Sequence, residues 1–154
     1  MKLSEILTLE CTLCAVPTTS KKRILEEICQ VAASQMIDMD QGELLDSLLD
    51  RERMGSTGIG NGIAIPHGRL PNTSKAIAVL VTTENAIDFD AIDNRNVDVF
   101  ISLFVPEDSC KEHLNTLQSI AKLFSDKKII KNVRKCQTRQ ELFDVIKKAS
   151  EPAS

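Results

Sequence analysis

One glycine-rich stretch organises the chain: Arg51-Glu52-Arg53-Met54-Gly55-Ser56-Thr57-Gly58-Ile59-Gly60-Asn61-Gly62-Ile63-Ala64-Ile65-Pro66-His67-Gly68-Arg69. It holds five of the six glycines and one of the two histidines. Glycine adopts backbone conformations that other residues avoid, so we predict a loop from Gly55 to Gly62. A short buried strand, 63–65, should follow. Because Pro66 favours extended geometry in the residue before it, His67 is expected at the exit of that strand.

The predicted loop is rich in hydrogen-bond donors. Its backbone N–H groups and the hydroxyls of Ser56 and Thr57 suit an anion such as phosphate, although both residues fit equally well as turn residues. A neutral imidazole with a pKa near ~6.5 is a nucleophile at neutral pH, and histidine is a known covalent carrier in group transfer. Phosphoryl transfer mainly needs positioning and donors, which Arg51, Arg53 and Arg69 could supply. A structural histidine is the alternative for His67.

Size and charge restrict the class of protein. The 154 residues are 42% apolar, which predicts a single α/β domain over residues 1–154 with its core at about 3–149. The formal charge is -3 and the chain has no Trp or Tyr. Nucleic-acid binding usually requires a basic surface, often with aromatic platforms, so we expect no nucleic-acid partner.

Other motifs argue against a membrane, a metal or a nucleotide cofactor. No signal peptide or long apolar stretch is visible, which predicts a cytoplasmic protein without membrane insertion. The five cysteines are irregularly spaced and are expected to be reduced thiols. Cys11 and Cys14 form a lone Cys-x-x-Cys pair, so no metal is expected. The glycine spacing matches neither a dinucleotide nor a nucleotide loop, and no cofactor is predicted.

Helical periodicity and apolar runs alternate along the chain. Ser20 and its neighbours should cap a helix that ends at Gln35 or Met36, and a second helix is predicted over 41–53. Strands are expected at 76–83 and 97–105, with a turn at 71–74 between His67 and the first of them and a loop over 86–90. A helix carrying His113 on its apolar stripe follows, then a short helical turn near 129–130 and a last helix capped by Thr138. This order predicts a mixed β-sheet with helices on both faces.

These residues also carry a family resemblance. The stretch from Arg51 to Arg69 resembles the motif of enzyme IIA of the fructose-mannitol type, and closely that of its nitrogen-related branch, in the phosphoenolpyruvate-dependent phosphotransferase system. The resemblance extends over most of the chain, to the segments 88–91, 105–107 and 113–114 and to Asp93.

The resemblance implies roles for particular residues. His67 would accept a phosphoryl group from a phosphohistidine on a phosphocarrier of the HPr or NPr kind. His113, which could otherwise be a core histidine, would assist by hydrogen bonding, and Arg51 would stabilise the phosphate. Phosphate or partner binding is also expected from the residues Ser56, Thr57, Gly58, Gly60 and Arg69. The apolar residues Ile59, Ile63 and Ile65 are expected either in a docking surface or in the core.

Three functions follow from the sequence. The first is a phosphoryl acceptor that regulates partners, by resemblance a potassium transporter or a sensor kinase, according to its phosphorylation state. No second module resembling a IIB, IIC or phosphocarrier domain is visible, which favours this regulatory role for a phosphotransferase component. The second is a sugar-specific IIA subunit that passes phosphate to the cysteine of a separate IIB domain. The third is a binding module that is never phosphorylated.

Overall fold

The computed structural model describes residues 3–36, 39–71 and 75–150, so residues 72–74 of the turn predicted at 71–74 lie outside the described residues. Along the described chain, one strand follows the first helix, two helices come next, and five strands then precede the last three helices. The helices are α1 (Leu3–Ile6), α2 (Lys21–Ser34), α3 (Gln41–Arg53), α4 (Cys110–Phe124), α5 (Lys127–Lys135) and α6 (Arg139–Ser150). The strands are β1 (Leu7–Val16), β2 (Gly58–Gly60), β3 (Ile63–Ala64), β4 (His67–Leu70), β5 (Ile77–Ile87) and β6 (Val97–Pro106).

The strands form one mixed sheet. β5 lies between β1, to which it is parallel, and β6, to which it is antiparallel. β3 and β4 follow one another along the opposite side of β6, both parallel to it, and β2 pairs antiparallel with β3 at the edge. The two central strands, β5 and β6, supply much of the buried apolar core. The predicted α/β fold with a mixed sheet is therefore confirmed.

Helices pack in two groups, one on each face of the sheet, as predicted. α2 and α3 contact each other and the strands β5 and β4, while α1, α4, α5 and α6 contact one another and the other face. Within the described residues, no helix is both long and apolar enough to cross a bilayer.

The two helices before the glycine-rich stretch agree with the sequence prediction. Ser20 caps α2, its Oγ accepting a hydrogen bond from the N–H of Arg23 at 3.2 Å, and Gln35 is the C-cap. α3 runs from Gln41 to Arg53, with Leu44 and Leu48 fully buried. Capping and helical periodicity are local properties, which is why both helices could be predicted from sequence.

Several strand predictions and one helix prediction need correction. β1 was not predicted, because its alternation is broken by register shifts and by a positive φ at Ala15. β5 continues to Ile87 rather than ending at Thr83, so the loop predicted at 86–90 begins later. The short helical turn predicted near 129–130 is a complete helix, α5. The loop predicted from Gly55 to Gly62 contains the strand β2.

Candidate functional site

His67 is the first residue of the strand β4. The sequence analysis had placed it at the exit of the preceding strand. β3 and β4 are two parts of one path along β6, interrupted at Ile65 and Pro66. The carbonyl of Pro66 accepts hydrogen bonds from the N–H of Leu103 at 3.0 Å and from the hydroxyl of Ser102 at 2.7 Å. The backbone that carries the imidazole is therefore fixed to the central strand.

The hydrogen bonds of the His67 ring assign its tautomer. Nδ1 lies 2.8 Å from the carbonyl oxygen of Ile65, which can only accept a hydrogen bond. Nδ1 must therefore carry the proton, and Nε2 keeps its lone pair. The Nε–H of Arg51 donates to this Nε2 at 3.3 Å. The nitrogen that is available as a nucleophile is thus Nε2, next to the guanidinium of Arg51.

The surroundings of His67 lower its pKa below the ordinary histidine value. Burial is the largest cause, and the cations of Arg51 and Arg69 act in the same direction. The hydrogen bond to the carbonyl of Ile65 and the charge of Glu52 oppose these effects. The half-buried imidazole is consequently neutral at neutral pH, as a nucleophile needs to be.

Arg51 and Arg53 lie in the last turn of α3 but have different surroundings. Arg51 is half-buried and also donates through Nη1 to the carbonyl of Gly55 at 2.9 Å. Arg53 is 74% exposed and pairs with Asp50, one turn earlier on the same helix. Arg53 is therefore a solvated charge, whereas Arg51 contacts the imidazole of His67 directly.

Arg69 lies two residues after His67 on β4. Side chains alternate between the faces of a strand, so the two residues share a face, opposite the buried Gly68 and Leu70. Arg69 is exposed, and no hydrogen bond joins it to His67 in the described part of the chain. Its position suits a contact with an incoming anion or with a partner protein.

Several donors of the glycine-rich stretch are already used within the protein. The N–H of Thr57 donates to Glu52 at 3.2 Å, and the Thr57 hydroxyl donates to the same carboxylate. The N–H of Gly58 donates to Ser56 Oγ at 3.1 Å, and that hydroxyl donates to the carbonyl of Phe89 at 2.8 Å. These groups shape the loop, which favours the turn interpretation of Ser56 and Thr57 over direct phosphate binding.

An Asn-Gly turn joins β2 to β3. Asn61 and Gly62 have φ values of 57° and 81°, the left-handed conformations that a tight hairpin requires. Gly60 ends β2 and also has positive φ. The Asn-Gly pair was a hairpin signal in the sequence that the loop prediction overlooked. The glycines therefore build a hairpin that leads directly to Pro66 and His67.

His113 lies in the first part of α4, which follows β6 after a short 3-10 turn at Glu107–Ser109. Its side chain is only 4% exposed, and its Nδ1 has no hydrogen-bond partner. An unsatisfied buried polar atom costs about 1 to 3 kcal/mol, so it calls for an explanation. The structure shows no hydrogen bond between His113 and His67, both of which lie in the described ranges.

The other predicted features separate into core and surface. Ile63 and Ile65 are buried in the core, whereas Ile59 is 41% exposed. Met54 and Ile92 are also exposed apolar side chains, and only Ile59 of the three predicted isoleucines remains available for docking. Cys11 is buried in the core, and no cluster of three or more metal-binding side chains occurs among residues 3–36, 39–71 and 75–150.

Sequence analysis assigned no role to two charged residues near His67, Glu52 and Lys21. The Glu52 side chain is 6% exposed and forms an ion pair with Lys21 at 3.0 Å. A carboxylate in the last turn of a helix is unfavourable because of the helix dipole, and this was the available signal that Glu52 has a specific partner.

Comparison with known proteins identifies the class. Residues 5–149 match the family described as phosphoenolpyruvate-dependent sugar phosphotransferase system, EIIA 2. The chain belongs to this family. The structure superposes on the mannitol IIA of Escherichia coli with a TM-score of 0.71 and 15% identity, over 88% of this chain and 96% of that one, which shows a common fold.

Within the family, the chain is similar to the nitrogen-related branch. It is 47% identical to a nitrogen regulatory protein of Klebsiella oxytoca, over 97% of this chain and 92% of the relative. The crystal structure of nitrogen regulatory protein IIA-Ntr from Neisseria meningitidis matches with a TM-score of 0.88 and 32% identity, covering 94% and 98% of the two chains. The resemblance stated from the sequence is confirmed.

Proposed function

We propose that this protein accepts a phosphoryl group on Nε2 of His67 from a phosphohistidine carrier of the HPr or NPr kind and regulates partner proteins according to its phosphorylation state. The observation that carries the proposal is the hydrogen-bond pattern of His67, with Nδ1 bound to the carbonyl of Ile65 and Nε2 left as an acceptor beside Arg51. The similarity to nitrogen regulatory proteins supports the regulatory part.

The transfer follows from this geometry. The lone pair of His67 Nε2 attacks the phosphorus, a new N–P bond forms, and the N–P bond of the donor histidine breaks with its electrons returning to the donor ring. The His67 ring gains positive charge as its lone pair is shared. The Nδ1–H bond to the carbonyl of Ile65, 2.8 Å long, stabilises that charge, so the carbonyl acts in the transition state as well as in the resting state.

Arg51 must exchange one partner during the reaction. Its Nε–H, which donates to Nε2 at rest, would turn to a phosphoryl oxygen when Nε2 becomes bonded to phosphorus. The second hydrogen bond, from Nη1 to the carbonyl of Gly55, keeps the guanidinium near the site. A hydrogen bond between charged groups contributes about 1.5 to 3 kcal/mol, so Arg51 accounts for a substantial part of the phosphate stabilisation.

His113 and Arg69 complete the proposed site. The buried, unpartnered Nδ1 of His113 supports the assisting role that the family resemblance implies, because a phosphoryl oxygen would satisfy it. Arg69, exposed on the same face of β4 as His67, would contact the phosphate or the carrier. No metal is needed, since cations and N–H donors supply the positive charge.

The remaining parts of the proposal concern the whole chain. We assign a single domain with its core at residues 3–149, which the family match over residues 5–149 supports. A cytoplasmic location agrees with the free thiols of Cys11, Cys14, Cys29 and Cys136, since disulfides are rare in reducing compartments. By resemblance, the regulated partners include a potassium transporter or a sensor kinase.

Direct phosphorylation tests the proposal. The protein is incubated with phosphoenolpyruvate, enzyme I and the phosphocarrier, and acid-labile phosphate is measured on the parent, His67→Ala and His113→Ala. We expect label on the parent and on His113→Ala but none on His67→Ala. Equal labelling of His67→Ala would overturn the assignment, and absence of label on all three under active relay conditions would favour a pure binding module.

The same experiment separates regulation from sugar uptake. The labelled protein is mixed with purified IIB domains of the fructose and mannitol type, and the label on each protein is followed with time. A regulator should keep its phosphate or return it to the carrier. Rapid transfer of label to a IIB cysteine would instead support the sugar-specific IIA subunit.

A further inference from the structure

Glu52 carries a nearly buried negative charge next to the proposed phosphoryl site. Its side chain is 6% exposed and lies in the last turn of α3, where the helix dipole disfavours an anion. The charge also acts on the imidazole of His67. A group that carries about -1.5 to -2 charges would arrive beside it on phosphorylation. Such a carboxylate needs both a structural reason and a compensating cation.

The structural reason is the loop after α3. One carboxylate oxygen of Glu52 accepts the N–H of Thr57 at 3.2 Å and also its hydroxyl. The carbonyl of Thr57 then accepts the N–H of Ile65 at 3.0 Å. The carbonyl of Ile65 is the group that binds Nδ1 of His67. A continuous series of hydrogen bonds therefore leads from Glu52 to the imidazole.

The compensating cation is Lys21, the first residue of α2. Its Nζ lies 3.0 Å from Glu52 Oε2 and 4.4 Å from the centroid of the Phe89 ring. It also donates to the carbonyl of Phe89 at 3.4 Å, the same carbonyl that accepts the hydroxyl of Ser56. Lys21 thus contacts both groups that hold the loop: the carboxylate of Glu52, which binds Thr57, and the carbonyl of Phe89, which binds Ser56. A weaker approach to the exposed Asp90, at 3.8 Å, completes its surroundings.

We propose that Lys21 and Glu52 act together as a positioning pair with two roles. The pair holds the loop at residues 55–57 so that the carbonyl of Ile65 orients His67. Lys21 also balances the negative charge of Glu52, which would otherwise repel the incoming phosphoryl group. Neither residue is catalytic, since both act through Thr57 and Ile65. Only the charge-balancing role of Lys21 rests on the proposed function. The orientation of His67 is a property of the resting protein.

A first experiment reads the imidazole directly. Nitrogen-15 NMR of His67 gives its tautomer and its titration midpoint in the parent, Lys21→Met, Glu52→Gln and the control Lys22→Met. Lys22 is the exposed neighbour of Lys21 and has no ion pair among the described residues. The charged groups that act on the ring are Arg51 and Glu52 from α3 and Arg69 from β4, and Lys21 from α2 pairs with Glu52.

The two charge changes should move the titration midpoint in opposite directions. Lys21→Met leaves the charge of Glu52 unbalanced, which raises the midpoint of His67, whereas Glu52→Gln removes the anion and lowers it. Both variants should reduce the fraction of the Nδ1–H tautomer, and Lys22→Met should match the parent. An unchanged tautomer and midpoint in Lys21→Met would overturn the inference. Since Lys21→Met removes a partly exposed group, it also decides the question if Glu52→Gln fails to fold.

A second experiment measures transfer from the phosphocarrier. Lys21→Met should lower kcat about tenfold, equivalent to roughly 1.4 kcal/mol, while KM for the carrier stays close to that of the parent. A change confined to KM would indicate a docking role instead and would contradict the positioning role. If the parent itself accepts no phosphate, the proposed function fails, and the NMR result still decides whether the pair orients His67.

Discussion

Gly68 and Ser47 touch where the strand β4 packs on the helix α3. A Cβ atom built on Gly68 would overlap the Ser47 side chain, and the Ser47 hydroxyl donates to the carbonyl of Arg69 at 3.0 Å. Arg51 lies one helical turn after Ser47, and His67 is the residue before Gly68. The close approach at one turn therefore brings Arg51 and His67 together at the next.

The Gly68→Ala substitution should separate the strand from the helix. The added methyl group has no space against Ser47, so we expect a loss of about 1 to 3 kcal/mol in the free energy of unfolding. The distance between Arg51 and His67 should increase, with slower phosphoryl acceptance. Thermal unfolding and the transfer rate check both effects. Ser47→Ala is the control, because it removes only the hydrogen bond to Arg69 and should cost about 1 kcal/mol.

Arg51→Ala should slow phosphoryl acceptance by about ten- to hundredfold. The substitution removes a charge-assisted hydrogen bond to the phosphoryl oxygens, worth about 1.5 to 3 kcal/mol. Single-turnover transfer from the labelled phosphocarrier measures the rate. Arg53→Ala is the matched control, since Arg53 is exposed and pairs only with Asp50 among the described residues. Equal effects of the two substitutions would contradict the assignment of Arg51 to the site.

His113→Ala should retain phosphorylation of His67 but at a rate lower by about ten- to hundredfold, because one donor to the phosphoryl oxygens is lost. The substitution also leaves a cavity in a buried position, so its unfolding free energy must be measured alongside the rate. His113→Gln keeps a side chain that can donate a hydrogen bond and should recover part of the rate. A variant that folds normally and reacts at the parental rate would remove His113 from the mechanism.

Phosphoryl acceptance should be independent of pH near neutrality and decline only in acid. The pKa of His67 is lowered, mainly by burial and also by Arg51 and Arg69, so the ring stays neutral until the pH falls below the ordinary histidine value of ~6.5. The stability from burying the neutral ring is complete above that value and is lost as the pH falls through the lowered pKa. A pH–rate profile measures this, and Arg51→Ala should move its midpoint to higher pH.

Local sequence signals predicted much of the fold. The helices α2 and α3 and the strand β6 follow from capping residues, periodicity and a long apolar run. β1 escaped prediction because its strand structure depends on irregular pairing with the distant β5. The residues of β1 alone give no signal of a register that shifts along its partner strand.

Candidate site residues could be named from the sequence, but their geometry could not. His67 and Arg51 could be selected from the sequence, and in the structure Arg51 Nε lies 3.3 Å from His67 Nε2. Which ring nitrogen keeps its lone pair could not be predicted, because the tautomer depends on where the carbonyl of Ile65 lies. Lys21 was missed for a related reason: it reaches Glu52 from a different helix.

The fixed carbonyl of Pro66 limits how the proposed phosphate on His67 would be recognised. Leu103 and Ser102 hold this carbonyl from the central strand, immediately before the histidine. We therefore expect the main chain around residue 67 to keep the same path in both forms, which backbone amide chemical shifts would show. A regulated partner would then distinguish the phosphorylated from the unphosphorylated protein by the added negative charge, because the backbone is unchanged. The difference in affinity between the two forms should therefore decrease as ionic strength rises.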